Sequence, residues 1–258
     1  MDIASLFRLD GRVALVTGGS RGIGQMIAEG YVAAGATVYV TSRKADACEA
    51  AAAALGPNCH ALPGDISTVA GVQALASALG EREERLDILV NNAGAAWNAP
   101  LAEFPESGWD KVMSLNVKTH FFLLQALLPM LKAARQPSKV INVASVDGLR
   151  PNPWGVYSYQ ASKAALIHLT RRLAAELIAD GIVVTALAPG AFPSEMNRAA
   201  LENAETVAKA IPAGRVGDAQ DIASAAIYLA SRAGDYVVGS TLAVDGGIVS
   251  AAYFGAAD

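Results

Sequence analysis

The segment YSYQASK, Tyr157 to Lys163, carries two phenols and one ammonium within a short span. A phenol with a reference pKa of about 10 is a poor proton donor, and a poorer base, unless a cation stands close enough to favour the phenolate. On a helix, Tyr159 and Lys163 share a face with roughly 5–6 Å between Cβ atoms, whereas Tyr157 has Ala161 at the same offset. The spacing selects Tyr159 as the candidate acid and Lys163 as the group that tunes it.

Other segments carry chemistry that suits a nucleotide. VALVTGGSRGIGQMIAEG passes from an apolar run into helical periodicity through Gly18, Gly22 and Gly24. Glycines at such a turn let the backbone approach a pyrophosphate, whose charge is favoured at a helix N-terminus. The spacing is GxxxGxG and not the commoner GxGxxG, so on its own it also fits an ordinary strand-to-helix turn. At the end of the next strand, VYVTSRK puts Ser42 and Arg43 where a carboxylate would hold the ribose hydroxyls of NAD. An arginine there suits a 2′-phosphate. Arg21, in the glycine loop, supplies a second cation for that phosphate, while Lys44 reads as loop solvation. Asp65 in LPGDIS closes another strand, where its carboxylate or the following Ile66 amide can meet an adenine. After LDILV, the residues Asn91, Ala93 and Gly94 allow backbone to lie against a flat ligand. Ser145 ends VINVAS, upstream of Tyr159; alone it would read as a cap.

Residues so far apart in the chain need a regular scaffold. Short apolar runs (RVALVT, TVYVT, LDILV, KVINVAS, IVVTALAP, TLAV) alternate with helical segments such as GQMIAEGYVAAG and AALIHLTRRLAAELIAD. This alternation reads as repeated βαβ units. The predicted fold is α/β: a single-domain, Rossmann-like, doubly wound parallel sheet of about seven strands, with helices on both faces. Several runs end in Gly, Asn, Ser or Pro at the carboxyl edge, where ligands of open α/β sheets bind. One domain is expected over residues 1–258, with a substrate lid at about 190–215, inside the irregular segment from Pro189 to Gly217.

Composition narrows the function further. The chain is 53% hydrophobic, with mean hydropathy +0.32 but no uninterrupted apolar run of about 18 residues. Net charge is −4 and no basic run stands out, which argues against a nucleic-acid footprint or a membrane-surface patch. Small-molecule partners fit better. Only Cys48 and Cys59 are present, with three histidines and no ligand spacing, so no metal site or disulfide is expected. The start, MDIASLFRLDGR, lacks the basic and long apolar regions of a signal peptide, and the expected location is cytoplasmic.

Taken in order, TGGSRGIG, NNAG, SLNV, VASVDG, YQASK, APG and the terminal VDGG closely resemble the short-chain dehydrogenase/reductase family along nearly the whole chain. The resemblance implies catalytic roles for Asn116, Ser145, Tyr159 and Lys163. Tyr159 would protonate a substrate oxygen as hydride arrives from a nicotinamide, Ser145 would polarise the carbonyl, and Lys163 would hold the ribose and lower the phenol pKa from about 10 towards 7. Asn116 would anchor a water chain. It also implies NADP(H) contacts from Ser20 and Ile23 in the glycine loop, from Asn92 beside Ala93 and Gly94, and from Pro189, Gly190, Phe192 and Ser194 in APGAFPSEM, where Ser194 replaces the usual threonine. GGSRGIGQMIAEG and GWDKVMSLNV look like the 3-oxoacyl thioester (acyl-carrier-protein) reductases of the rhamnolipid-pathway type. Ala175 stands where carrier-dependent members tend to present a basic residue, although Arg171 and Arg172 are near. A homotetramer built on the long helices and the C-terminal segment is implied as well.

The expected reaction is reduction of a ketone, most closely a 3-oxoacyl thioester, to a secondary alcohol. The alternatives are a dehydrogenase of a free alcohol or sugar-type substrate, and a nucleotide sensor without turnover, which would not need the acid. Trp97, Leu149, Trp154, Phe192 and Met196 either line a substrate pocket or simply pack. If Tyr159 is the acid, Tyr159→Phe abolishes turnover while cofactor still binds, and Tyr157→Phe keeps most activity. Steady-state kinetics of the two variants, with cofactor binding followed separately, check the assignment, and the reverse pattern would refute it.

Overall fold

The structure, a computed structural model, describes residues 2–135 and 137–251. Seven strands, β1 (Val13–Thr17), β2 (Thr37–Thr41), β3 (Cys59–Ala61), β4 (Ile88–Asn91), β5 (Ser138–Val143), β6 (Ile182–Pro189) and β7 (Thr241–Val244), form one sheet in the order β3-β2-β1-β4-β5-β6-β7. Every pairing is parallel. This is the doubly wound α/β domain that the alternating pattern predicts.

The helices are α1 (Ile3–Leu6), α2 (Gly22–Ala33), α3 (Ala45–Leu55), α4 (Val69–Gly80), α5 (Glu106–Met113), α6 (Thr119–Lys132), α7 (Tyr157–Leu177), α8 (Arg198–Glu202), α9 (Ala204–Ala208) and α10 (Ala219–Ala230). Strands β1, β4, β5 and β6 are buried along their whole length, as continuous apolar runs require when both faces of a sheet are covered. The period of two is visible in β1. Ala14 and Val16 join a core with Ile27 and Tyr31 of α2 and Ile222 of α10, whereas Val13 and Leu15 join one with Leu75 of α4 and Leu123 and Leu127 of α6. On the first face α2 and α10 approach closely: a Cβ on Gly30 would lie 2.6 Å from that of Ala223.

The amino edge of the sheet is closed by a buried carboxylate. Asp87 accepts hydrogen bonds from the Val13 and Arg135 amides at 2.9 and 3.2 Å and pairs with Arg12 and Arg85. The carboxyl edge is open. Strand order reverses between β1 and β4, so the connections leaving these neighbours diverge to opposite faces and leave a crevice between them.

Cys48 and Cys59 are free and buried, and burial together with the neighbouring Cys48 pushes the Cys59 thiol up to about 11, as inert structural thiols would be. Among the described residues no helix is long and apolar enough to cross a membrane. Part of the C-terminal segment expected in a tetramer contact, residues 252–258, lies outside the described residues.

Candidate active site

β1 delivers the glycine loop to the crevice. Gly18 and Gly22 have φ of +65° and +54°, a backbone conformation that side chains rarely adopt, and a Cβ on Gly24 would meet the Gly18 carbonyl oxygen at 2.4 Å. The loop is tied to the neighbouring strand exit. Thr17 Oγ1 accepts from the amides of Asn92 (2.9 Å) and Ala93 (3.0 Å), and Asn92 Nδ2 donates to the carbonyls of Thr17 (2.8 Å) and Gly18 (3.3 Å). The Asn92 side chain therefore holds the loop. At the N-terminus of α2 no side chain caps the first N–H groups, which leaves them available to an anion.

Ser20 and Ile23 flank the glycines at half-buried positions. Arg43 is exposed beyond β2 and lies close enough to Asp65 to help lower that carboxyl pKa, for which the Ser67 amide is the largest cause. Ser42 Oγ is engaged locally, donating to the Lys44 carbonyl at 2.9 Å. Ile66 is buried, and its carbonyl accepts from Thr119 Oγ1 at 2.9 Å. Arg21 is drawn differently from the sequence expectation: its guanidinium pairs with Glu195, an acidic partner beyond β6 that the loop motif does not reveal.

On the opposite wall, Ser145 leaves β5 and its hydroxyl hydrogen-bonds Tyr159, in the first turn of α7. Lys163 lies one turn on, its Nζ 5.6 Å from the Tyr159 ring centroid and donating to the Val143 carbonyl at 2.7 Å. The expected depression of the phenol pKa by Lys163 is corrected here. Burial dominates and raises Tyr159 to about 12 against the pull of Ser145, with Asp147 adding to the rise, and burial lowers Lys163 itself to about 8. Each desolvated group moves towards its neutral form, and the ammonium donates to a backbone carbonyl. Tyr157 points elsewhere, stacking edge-on against Phe104 at 5.6 Å and lining a groove of about 330 Å³ with Leu101 and Trp109.

Asn116 sits in a π-helical turn, Ser114–Lys118, between α5 and α6. Its Oδ1 accepts from the Ala95 amide at 2.8 Å, and its Nδ2 donates to the Ala95 carbonyl (2.9 Å) and Ser162 Oγ (3.0 Å). An amide has two N–H donors and both are taken. The Asn116 side chain thus braces the strand exit at Ala95.

The segment expected as a lid follows β6. Pro189 ends that strand, and Gly190 packs so tightly on Asp245 that a Cβ would lie 2.7 Å from the Asp245 Cα. Ser194 Oγ accepts from the Asn197 amide at 3.1 Å, and its Cβ would stand 3.3 Å from a Cβ on Gly22, so the segment after β6 touches the glycine loop. Phe192 is buried in the core beneath Gly217 and does not line the cleft with its ring. Trp97 packs on Gly108, whereas Leu149, Trp154 and Met196 are exposed.

Several residues at the site escaped the sequence reading. Thr17 looks like an ordinary strand end, Ser162 like helix filler, and Asp147 like a turn residue. His120 did carry a signal, lying on the Asn116 face one helical turn later. It is buried, its Nε2 donates to the Ala93 carbonyl at 2.9 Å, and that bond assigns the proton to Nε2 and leaves Nδ1 a buried acceptor without a partner among the described residues.

A family model described as enoyl-(acyl carrier protein) reductase matches residues 18–249. The chain belongs to the short-chain dehydrogenase/reductase family. The family's relatives include a rhamnolipids biosynthesis 3-oxoacyl-[acyl-carrier-protein] reductase of Pseudomonas aeruginosa, 48% identical over 249 residues (93% of this chain and 97% of the relative). A sorbitol dehydrogenase of Cereibacter sphaeroides is 38% identical, covering 93% and 98%. Among solved structures, the Pseudomonas aeruginosa RhlG/NADP active-site complex superposes with a TM-score of 0.92 at 48% identity over 95% of this chain and 99% of that one. A gluconate 5-dehydrogenase from Burkholderia cenocepacia in complex with NADP and tartrate gives 0.90 at 37% identity over 96% and 99%.

Burial lowers the His120 pKa from 6.5 to about 3, with the Lys163 charge contributing. The unfolded chain then binds a proton that the folded chain refuses, so stability is full above the unfolded value and falls as pH drops towards the folded one. His120→Gln, which keeps an N–H for Ala93 without a basic nitrogen, should flatten that loss. Urea midpoints between about pH 7 and pH 4 for both proteins check this, and parallel slopes would count against it.

Proposed function

We propose that this enzyme is an NADP(H)-dependent reductase that converts a ketone into a secondary alcohol, with 3-oxoacyl thioesters as its substrate class. The observation that carries the reading is the meeting of Ser145, Tyr159 and Lys163 at the carboxyl edge of the sheet, facing the glycine loop across the crevice. The relative at 48% identity, named a 3-oxoacyl-[acyl-carrier-protein] reductase, supports the substrate class.

The residues present fit a dinucleotide: the α2 N-terminus is uncapped, and the glycine cradle is one that a Cβ at Gly24 would fill. Gly18, Ser20, Gly22, Ile23 and Gly24 would hold the pyrophosphate. Ser42 and Arg43, with Arg21 once released from Glu195, would meet the 2′-phosphate. Asp65 and Ile66 would border the adenine, and Asn92, Ala93 and Gly94 would lie along the nucleotide. Pro189, Gly190, the Phe192 backbone and Ser194 would flank the carboxamide. When bound, NADPH supplies the hydride.

The chain's own part is to orient the carbonyl and protonate it. The Ser145 hydroxyl donates to the substrate oxygen, and Tyr159 transfers its phenolic proton to that oxygen. A phenol pKa raised to about 12 keeps Tyr159 protonated, the state that an acid in the reductive direction needs. Lys163 uses one N–H on Val143 and has others for the ribose, and Asn116 holds Ala95 and Ser162 in register with it. The segment at about 190–215, which touches the glycine loop through Ser194, acts as the lid. A cytoplasmic homotetramer remains part of this reading. Oxidation of a free alcohol or sugar-type substrate is the second reading, supported by the sorbitol and gluconate dehydrogenase relatives.

A panel of acetoacetyl thioesters, longer 3-oxoacyl thioesters, diketones and sugars tests the substrate class. The reading expects the thioesters to win, and a clear preference for sugars or sugar acids would overturn it. Arg43→Ala tests the cofactor. A charge-assisted hydrogen bond contributes about 1.5–3 kcal/mol, so NADPH use should weaken roughly tenfold to a hundredfold, less any share that Arg21 retains, while NADH use hardly changes. Equal losses with both cofactors would mean that Arg43 only supports its loop.

A further inference from the structure

Two residues beyond Ser145 along the chain stands a carboxylate that the reaction does not use. Asp147 belongs to a 3₁₀ turn, Val146–Gly148, that begins at Ser145, whose Oγ accepts from the Asp147 amide at 3.1 Å. The turn is pressed against α7: a Cβ on Gly148 would lie 2.6 Å from the Lys163 carbonyl carbon and 2.8 Å from the Ala164 nitrogen. Asp147 therefore cannot drift away from the helix that carries Tyr159.

Its side chain is half-buried, and burial raises the carboxyl pKa against the pull of the neighbouring Asn152 side chain. Asn152 is fixed in turn by Gln160, the residue after Tyr159, which donates to the Asn152 carbonyl (3.3 Å) and Oδ1 (3.1 Å) and accepts from its amide (3.4 Å). Among the described residues no lysine or arginine contributes to the setting of the Asp147 carboxyl. Lys163 is turned to Val143, and Arg150 reaches the Ile248 carbonyl. From α6, His120 is buried on the Ala93 carbonyl, and burial keeps its imidazole neutral. Among the described residues the Asp147 carboxyl therefore has no cation paired with it.

We propose that Asp147 is a specificity-determining residue, whose carboxylate disfavours ketones bearing a negative charge near the reacting carbonyl and leaves neutral ones, esters and thioesters among them, free to bind. The inference rests on the reductase reading above and deepens it: of the ketones such a site could take, it selects those uncharged at the reacting end. The bond from the Asp147 amide to Ser145 Oγ at 3.1 Å sets this carboxylate beside the hydroxyl that orients the substrate, and there it also opposes ionisation of Tyr159, so a substrate held by these two groups enters its field. Two like charges about 6–8 Å apart in a partly solvated site repel enough to change a rate constant on the order of tenfold.

Ethyl acetoacetate and acetoacetate present the same 3-oxo group with and without a charge, and so form the matched pair. The ratio of their kcat/KM values with NADPH is measured for the wild type, for Asp147→Asn, which keeps the shape, for Asp147→Ser as a second neutral form, and for Asp147→Glu, which keeps the charge. The ester should lead in the wild type. The ratio should narrow about tenfold in either neutral variant, mainly through a gain for acetoacetate, and persist in Asp147→Glu. With the ester, the alkaline limb of the neutral variants should also move slightly to lower pH, because a charge that adds to burial in keeping Tyr159 protonated is gone. An unchanged ratio in both neutral variants, or an equal loss for both substrates as a mere brace would give, overturns the proposal. A wild type inert towards this pair and towards the thioester panel instead refutes the reductase reading, and this inference with it.

Discussion

Everything at the carboxyl edge hangs on the seam between β1 and β4, where Thr17 and Asn92 exchange hydrogen bonds across two diverging chain exits. The reversal of strand order opens the crevice, but an open crevice in a parallel sheet leaves two loops without a ladder to hold them. A hydroxyl and an amide replace that ladder. The glycine loop can then adopt the conformation that bares its amides, since its carbonyls at Thr17 and Gly18 are already engaged by Asn92. On the far side, Asn116 and His120 fasten the continuation of the same strand exit at Ala95 and Ala93. Three side chains thus immobilise a stretch of four residues, and the reacting wall is built against it.

Burial decides the protonation of the site more than pairing does. Tyr159 rises, Lys163 falls and His120 falls, all for lack of water around the charged form. The polar groups beneath form a dry ladder in which Asn91 donates to Asn142 at 2.9 Å, Asn142 to Thr170 at 2.9 Å, and Thr170 to the Leu166 carbonyl at 2.8 Å. This ladder links β4, β5 and α7, so the helix bearing Tyr159 is registered on the strands by fixed hydrogen bonds and not by apolar contact alone.

The fold was legible because buried parallel strands leave an unmistakable record: continuous Val, Ile and Leu runs, each followed by a residue suited to a turn. Tyr159 and Lys163 were legible for a local reason, the helical offset between them. What could not be read depends on contacts across the chain. No spacing rule pairs Arg21 with Glu195, and the phenol pKa was misjudged because a sequence counts neighbouring charges but not the water removed around them. Phe192 illustrates the same limit, since an aromatic beside a loop glycine looks like a pocket wall until its ring is found under Gly217. His120 was missed although its offset from Asn116 was visible, because a lone histidine on an apolar helix face usually packs.

The widened turn at Ser114–Lys118 has an evolutionary corollary. Relative to an α-helix, a π-helical turn accommodates one extra residue, and each residue advances an α-helix by about 100°. The four leucines of α6 that enter the core, Leu123, Leu124, Leu127 and Leu131, keep their aim only because that residue is present, as does His120 on Ala93. A deletion here would make the helix more regular while rotating those leucines away from the sheet. The segment should therefore drift freely in side-chain identity at its exposed positions while its length stays frozen, so that gaps in this stretch would be purged even where substitutions are common.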